Sequence, residues 1–94
     1  MKIDYQIFQK RADIIKSMAH PARLIVLESL KDGEKCVCKL NELVDLDQST
    51  LSRHLLILKN AGIVQSTKRG QNVYYKLIVP CIFKYIECIY NAIN

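Results

Sequence analysis

Apolar residues along this chain fall first at three- and four-residue steps, then at steps of two, then at three and four again. Ile3, Ile7, Ile14, Ile15 and Met18 share one side of an amphipathic first helix that ends before His20 and Pro21. Proline fits the first turn of a helix, so a second helix is predicted from about Pro21 to Leu30. Its core face would carry Leu24, Ile25, Leu27 and Leu30. "KDGE" breaks the chain at Gly33, and a third helix follows from roughly Val37 to Val44, with Leu40, Leu43 and Val44 inward. "DLD" is a short turn, and Asp47 can cap a fourth helix, with Thr50 three residues on. Leu51, Leu55 and Leu58 form the inward row of that helix. It stops at Asn60-Ala61-Gly62, where the glycine supplies a left-handed C-cap.

From Ile63 the period is two. "IVQSTKR" and "VYYKLIV" are strand-like runs joined by the polar turn Gly70-Gln71-Asn72, which gives a β-hairpin with a basic tip. After Pro80 the helical period returns, with Ile82, Ile86, Ile89 and Ile93 in a row and Phe83 and Tyr90 beside them. The chain shows no internal repeat, low-complexity tract or linker. The predicted fold is mainly α with one β-hairpin, in the order α-α-α-α-β-β-α, as a single domain over residues 1–94.

Composition adds two constraints. Half of the 94 residues are hydrophobic, more than a chain this short can hide by itself, so a second subunit is expected. The net charge of +5 and a pI near 9.1 call for a polyanionic partner, which leaves nucleic acid and a membrane surface both open. The N-terminal run "MKIDYQIFQKRADIIKSMAHP" alternates apolar and charged residues, unlike a signal peptide, and no run reaches the ~18 apolar residues of a spanning helix. A cytoplasmic protein is therefore expected. There, four cysteines read as metal ligands, redox sensors or buried small hydrophobes ahead of structural disulfides.

Helix, short turn, capped helix with a polar face, then basic hairpin is the order of a winged helix-turn-helix. The third helix would brace the backbone of DNA and the fourth would enter the major groove. Gln48, Ser49, Ser52 and Arg53 point outward between the leucines, with Thr50 and His54 on the same segment. Arg53 can bond a guanine edge or a phosphate, Gln48 can bond adenine, and the serines can donate to phosphates. At the wing tip Lys68, Arg69, Gln71 and Asn72 would straddle the adjoining backbone or minor groove. A polar helix face can also be merely solvated; the basic hairpin in the expected place and the positive net charge favour DNA. His54 fits a partly buried or phosphate-contacting role better than that of a metal ligand, and His20 fits a boundary residue before the helix-starting proline.

These segments resemble the ArsR/SmtB family of small dimeric winged-helix repressors. The matching stretches are "MAHPARLIVLESL", "CVCKL", "QSTLSRHLLILKNAGIV" and "KRGQNVYYKL", and the resemblance runs from about residue 8 to the end of the chain. It implies a homodimer whose first and last helices form the interface, bound to a roughly palindromic operator in double-stranded DNA. It also implies release of the DNA by an inducer, usually a metal or metalloid ion, with no obligatory cofactor. The isoleucine rows of the terminal helices fit that dimer.

Cys36-Val37-Cys38 is similar to the Cys-Val-Cys of the family's arsenite, cadmium and lead sensors. The resemblance implies As(III) as inducer, with Cd(II) or Pb(II) as further candidates. Thiolates are the ligands that soft ions prefer, and Lys35, Lys39 and the positive end of the helix would lower the thiol pKa values. In an α-helix residues i and i+2 are turned about 200° apart, so two such thiolates meet on one ion only if that turn unwinds or lies outside the helix. A cysteine found three residues later in one subtype is Asn41 here, and the cysteine-bearing N-terminal extension of another subtype has no counterpart. A third thiolate would come from Cys81 or Cys88, which are ~10.5 Å apart along one helix and too distant to bridge each other. Packing as small hydrophobes is the other reading of those two. The Asp/His zinc site of other family members is absent from "PCIFKYIECIYNAIN".

Three alternatives remain at this level. The inducer can be a persulfide or an oxidant, with a disulfide or polysulfide bridge between Cys36/Cys38 and Cys81/Cys88. A thiol enzyme would need Cys-x-x-Cys or a cysteine with an acid or histidine partner, and neither pattern occurs, so an enzyme is not expected. A dimerisation module without DNA contact would make the basic wing a solvated surface only.

Overall fold

A computed structural model describes residues 2–94; Met1, the first residue of the expected domain, lies outside the described residues. The elements are α1 (Tyr5–Met18), α2 (Pro21–Ser29), β1 (Lys35–Cys36), α3 (Val37–Leu43), α4 (Gln48–Asn60), β2 (Val64–Arg69), β3 (Asn72–Leu77) and α5 (Ile82–Ile93). The expected order of helices and hairpin is present, with one strand, β1, added before the third helix.

Each helix that positions the candidate site starts at a side chain able to satisfy free backbone N–H groups. Asp4 accepts from the Gln6 amide at 3.0 Å, His20 Nδ1 from the Ala22 amide at 3.0 Å, and Asp47 from the Thr50 amide at 3.1 Å. Pro21 opens α2 directly after its histidine cap. At the far end of α4, Gly62 adopts φ +82°, the left-handed geometry that a Cβ disfavours, and the chain turns there into the sheet.

The core lies where α2, α3 and α4 meet the sheet. Val26, Leu27, Leu40, Leu51 and Leu58 are fully buried, and Leu30, Val44, Leu55, Ile63 and Val64 nearly so. Burial of one such side chain contributes roughly 1.5–3 kcal/mol. The inward row Leu51, Leu55 and Leu58 is the one predicted. On α2 the prediction is corrected: Leu24 and Ile25 are exposed, and Ala22 and Val26 join Leu27 and Leu30 inside. Their spacing of four, one and three turns the buried stripe away from Leu24 and Ile25. Leu43 is also exposed, because α3 ends there and the chain turns at Val44, whose amide bonds the Leu40 carbonyl at 2.9 Å.

The sheet has three antiparallel strands in the order β1-β3-β2. The hairpin pairs Val64 with Leu77 through to Arg69 with Asn72, leaving Gly70 and Gln71 as its two-residue loop. Gly70 there has φ +64°, as such turns demand. On its other edge β3 holds β1, with Lys35 opposite Tyr75 and Cys36 opposite Tyr74.

The terminal helices behave differently from the rest. No residue of α5 is buried, although Tyr85, Ile86, Ile89, Tyr90 and Ile93 make it strongly apolar. Ile7, Phe8, Ile14 and Ile15 of α1 are exposed as well. Between the two helices an apolar cavity of about 480 Å³ opens, lined by Ile14, Ile15, Met18, Ile82, Ile86 and Ile89 among others. Among the described residues no helix is long and apolar enough to cross a membrane.

Candidate nucleic-acid interface and thiol site

The outward face of α4 is set by its N-terminal cap. Asp47 accepts the Thr50 amide and also the Ser49 hydroxyl, at 3.1 Å each. Hydrogen bonds from Thr50, through side chain and backbone, and from Ser49 hold the Asp47 carboxyl below its ordinary range. Ser49 and Thr50 thus serve the helix start, Thr50 being half-buried, while Gln48, Ser52 and Arg53 stand exposed. His54 does not share that face. It is half-buried, its Nδ1 accepts from Arg23 Nε at 3.1 Å, and its ring lies 4.5 Å from that of His20. His54 thus makes a contact between helices.

A groove of about 570 Å³ joins the three expected parts of the interface. Val37, Cys38 and Asn41 come from α3, Gln48, Ser52 and Leu55 from α4, and Gln71, Asn72, Val73 and Tyr75 from the hairpin. Lys68 is exposed beside the hairpin tip. Arg69 is paired with Glu34, and its guanidinium lies over the Tyr74 ring at 5.0 Å. The hydrogen bond and charge of Glu34 raise the Arg69 pKa further, so this side chain remains cationic. Glu34 had no signal in the sequence as a partner, since 35 residues separate the two.

Cys36 and Cys38 lie at the expected helix start but differ from expectation in redox state. The helix begins at Val37, so Cys36 sits in β1 as the N-cap and only Cys38 is helical. With the first cysteine outside the helix the 200° rotation does not apply. The Cα atoms are 5.3 Å apart and the two residues form a disulfide, where reduced thiols were expected. Cys36 Sγ also accepts the Lys39 amide at 3.2 Å. The flanking ammonium groups are directed elsewhere: Lys35 Nζ donates to the Ser29 carbonyl and Lys39 Nζ pairs with Glu42 at 3.4 Å.

Cys81 and Cys88 are free and exposed, so neither is packed within the protomer, and Cys81 opens onto the apolar cavity between α1 and α5. The bridge expected as an alternative between Cys36/Cys38 and Cys81/Cys88 is absent here, since Cys36 pairs with Cys38. Among the described residues no group of three or more His, Cys, Asp or Glu could hold a metal ion. The thiol pair thus supplies two sulfurs from one short segment, and a third donor is not preassembled beside them.

Comparison with known proteins follows the same lines. Residues 20–66 match the family described as "Bacterial regulatory protein, arsR family". An uncharacterised HTH-type transcriptional regulator of Methanocaldococcus jannaschii is 44% identical over 70 residues, covering 72% of this chain and 79% of that protein. An arsenic resistance transcriptional regulator of Pseudomonas putida is 40% identical over 65 residues, covering 68% of this chain and 51% of its own length. The solved structure of reduced HlyU from Vibrio cholerae superposes with a TM-score of 0.80 at 32% identity, over 92% of this chain and 94% of that one. Capped reading helix, basic hairpin and relatives agree: the chain belongs to the arsR family of regulatory proteins, as a DNA-binding transcriptional repressor of the winged helix-turn-helix type and not an enzyme.

Proposed function

We propose that this protein is a homodimeric, cytoplasmic repressor that leaves its operator when a thiophilic metalloid or metal is captured by Cys36 and Cys38. As(III) is the inducer that fits first, with Cd(II) and Pb(II) next. The observation that carries the reading is the location of the thiol pair. Its two Cα atoms are 5.3 Å apart at the junction of β1 and α3, and Cys38 shares a groove with Gln48, Ser52, Gln71 and Asn72. Two sulfurs that close on each other there, once reduced, can also close on one soft ion. The arsenic-resistance function named for the Pseudomonas putida relative supports the choice of metalloid.

DNA contact follows from the same geometry. Arg53, Gln48 and Ser52 reach base edges or phosphates from the first turns of α4, Lys68, Arg69, Gln71 and Asn72 flank them, and Ser49 and Thr50 hold the helix start. A second copy covering the exposed isoleucines of α1 and α5 supplies the other half-site reader, which suits a roughly palindromic operator. Capture of arsenite by the dithiol exchanges hydroxide for sulfur: each thiol proton leaves with a hydroxide as water, and no electron is transferred. The new bonds reset the backbone at Cys36 and Cys38, and with it the groove that α3, α4 and the hairpin share. Cys81 or Cys88, from either subunit, is the candidate for a third sulfur.

The disulfide favours a second reading in which the signal is an oxidant. A peroxide would take two electrons and two protons from the Cys36 and Cys38 thiols and become water, closing the bridge seen here. A fluorescent duplex from the promoter of its own gene, titrated with the reduced protein at several salt concentrations, tests both. Salt-dependent binding, reversed by arsenite, cadmium or lead, supports the first reading; release by peroxide or polysulfide alone supports the second. No binding at low ionic strength would refute the DNA reading altogether.

A further inference from the structure

His54 lies in the first half of α4 but neither lines the groove nor serves the helix cap, and unlike the exposed Arg53 it is half-buried. Its Nδ1 accepts from Arg23 Nε at 3.1 Å, while Arg23 Nη1 donates to the Ser17 carbonyl at 2.9 Å. One guanidinium on α2 therefore ties the C-terminal turn of α1 to the reading helix. The Ser17 end is itself fixed, being buried, with its hydroxyl donating to the Ile14 carbonyl at 2.6 Å. Because Arg23 can only donate, the Nδ1 that receives it carries no proton, and the link exists only with neutral imidazole protonated at Nε2.

The surroundings of His54 oppose a positive charge. From α2 it faces Arg23, from the cap of that helix His20, and from its own helix Arg53. Through Arg23 it is linked to the Ser17 carbonyl of α1. The His20 Nδ1 is occupied by the Ala22 amide, so His20 offers a ring face and no acceptor. Burial first, then His20, Arg23 and Arg53, hold the His54 pKa below its ordinary value of 6.5.

We propose that Arg23 and His54 form a positioning link that fixes the reading helix against the dimer-forming α1, and that protonation of His54 opens it, so that operator affinity falls on acidification. The inference rests on the DNA reading above. His54 is a positioning residue and touches no DNA. The sign follows from the lowered pKa. The link is fully present above about pH 6.5, where imidazole is neutral in folded and unfolded chains alike, and is lost as pH falls through the lower folded value. Simple electrostatics gives the opposite trend, because a more cationic protein binds DNA more tightly in acid.

Promoter-duplex affinity, measured from pH 8 to pH 5.5 at constant ionic strength, tests the proposal. Wild type should weaken severalfold toward the acid end of that range. H54A should be about tenfold weaker at pH 8 and lack the acidic loss, with helix content and dimer mass unchanged. H54N places an amide oxygen where Nδ1 stood, so it should restore binding at pH 8 and keep it at pH 5.5. An H54N protein with the wild-type pH profile, or H54A with wild-type affinity at pH 8, would overturn the proposal. Nitrogen-15 spectra of the free protein separate this failure from failure of the DNA reading. At pH 8 the His54 ring should be the Nε2–H tautomer, and an Nδ1–H tautomer removes the link whether or not DNA is bound.

Discussion

Cys36 stands directly opposite Tyr74 across the β1–β3 ladder, so the first thiol belongs to the edge of the hairpin sheet as well as to the start of α3. Tyr74 in turn carries the Arg69 guanidinium on its ring, and Arg69 is paired with Glu34, two residues before Cys36. Under the proposed function, chemistry at Cys36 would act on the hairpin through backbone pairing and through this ion pair. In amide spectra of the reduced protein, adding arsenite should shift Tyr74, Tyr75 and Arg69 together with the N-terminal turn of α4. Shifts confined to α3 and α4, with the hairpin unmoved, would remove the hairpin from the response.

Reading and anchoring contacts should separate by mutation. Arg53, exposed on the first turns of α4, should cost about 1–3 kcal/mol of operator binding when changed to alanine, with relaxed preference at one base pair. Lys68→Ala should weaken all duplexes about equally and reduce the salt slope by about one. Competition between operator and unrelated duplexes at several salt concentrations distinguishes the two. The same sequence preference in both variants would mean that Arg53 contacts only phosphate.

How far these features were legible depends on the distance over which each is determined. The α4 element was readable because its leucine row, its Asp47 cap and its Gly62 stop all lie within sixteen residues of one another. Strand β1 was not: two residues cannot show a period, and they are a strand only because Tyr74 and Tyr75 arrive beside them. That missing strand also hid the pairing of Cys36 with Tyr74. His54 kept its partner hidden for a similar reason, since Arg23 lies 31 residues earlier on another helix. On α2, four apolar residues in succession from Leu24 to Leu27 let the period fit more than one face, and tertiary packing chose Val26 over Ile25.

The apolar face of the terminal helices should require a second copy of the chain. Ile86 and Ile89 are exposed in the protomer and line its apolar cavity. A carboxylate there would be desolvated in a dimer and left unpaired. Ile89→Asp should sediment as a monomer at micromolar concentration and bind the operator weakly, with its helix content retained. A dimer that survives both Ile86→Asp and Ile89→Asp would place the interface elsewhere.

Adjacent leucines of α4 give a test of the core. Leu55 is 1% exposed and Leu56 is 51% exposed. Leu55→Ala should lower the unfolding free energy by roughly 2–5 kcal/mol, and Leu56→Ala by no more than about 0.5 kcal/mol. Urea denaturation at fixed protein concentration measures both. Equal losses would show that Leu56 is covered in solution.

The most direct measurement is anisotropy of the preformed promoter complex as arsenite is added under reducing conditions, for wild type and for the Cys36→Ser and Cys38→Ser variants. All three should bind the duplex with similar affinity. Wild type should be released, while each serine variant stays bound at arsenite concentrations that empty the wild-type complex. Release of either variant at the wild-type arsenite concentration, or a wild-type complex indifferent to arsenite, cadmium and lead alike, would contradict sensing by this thiol pair.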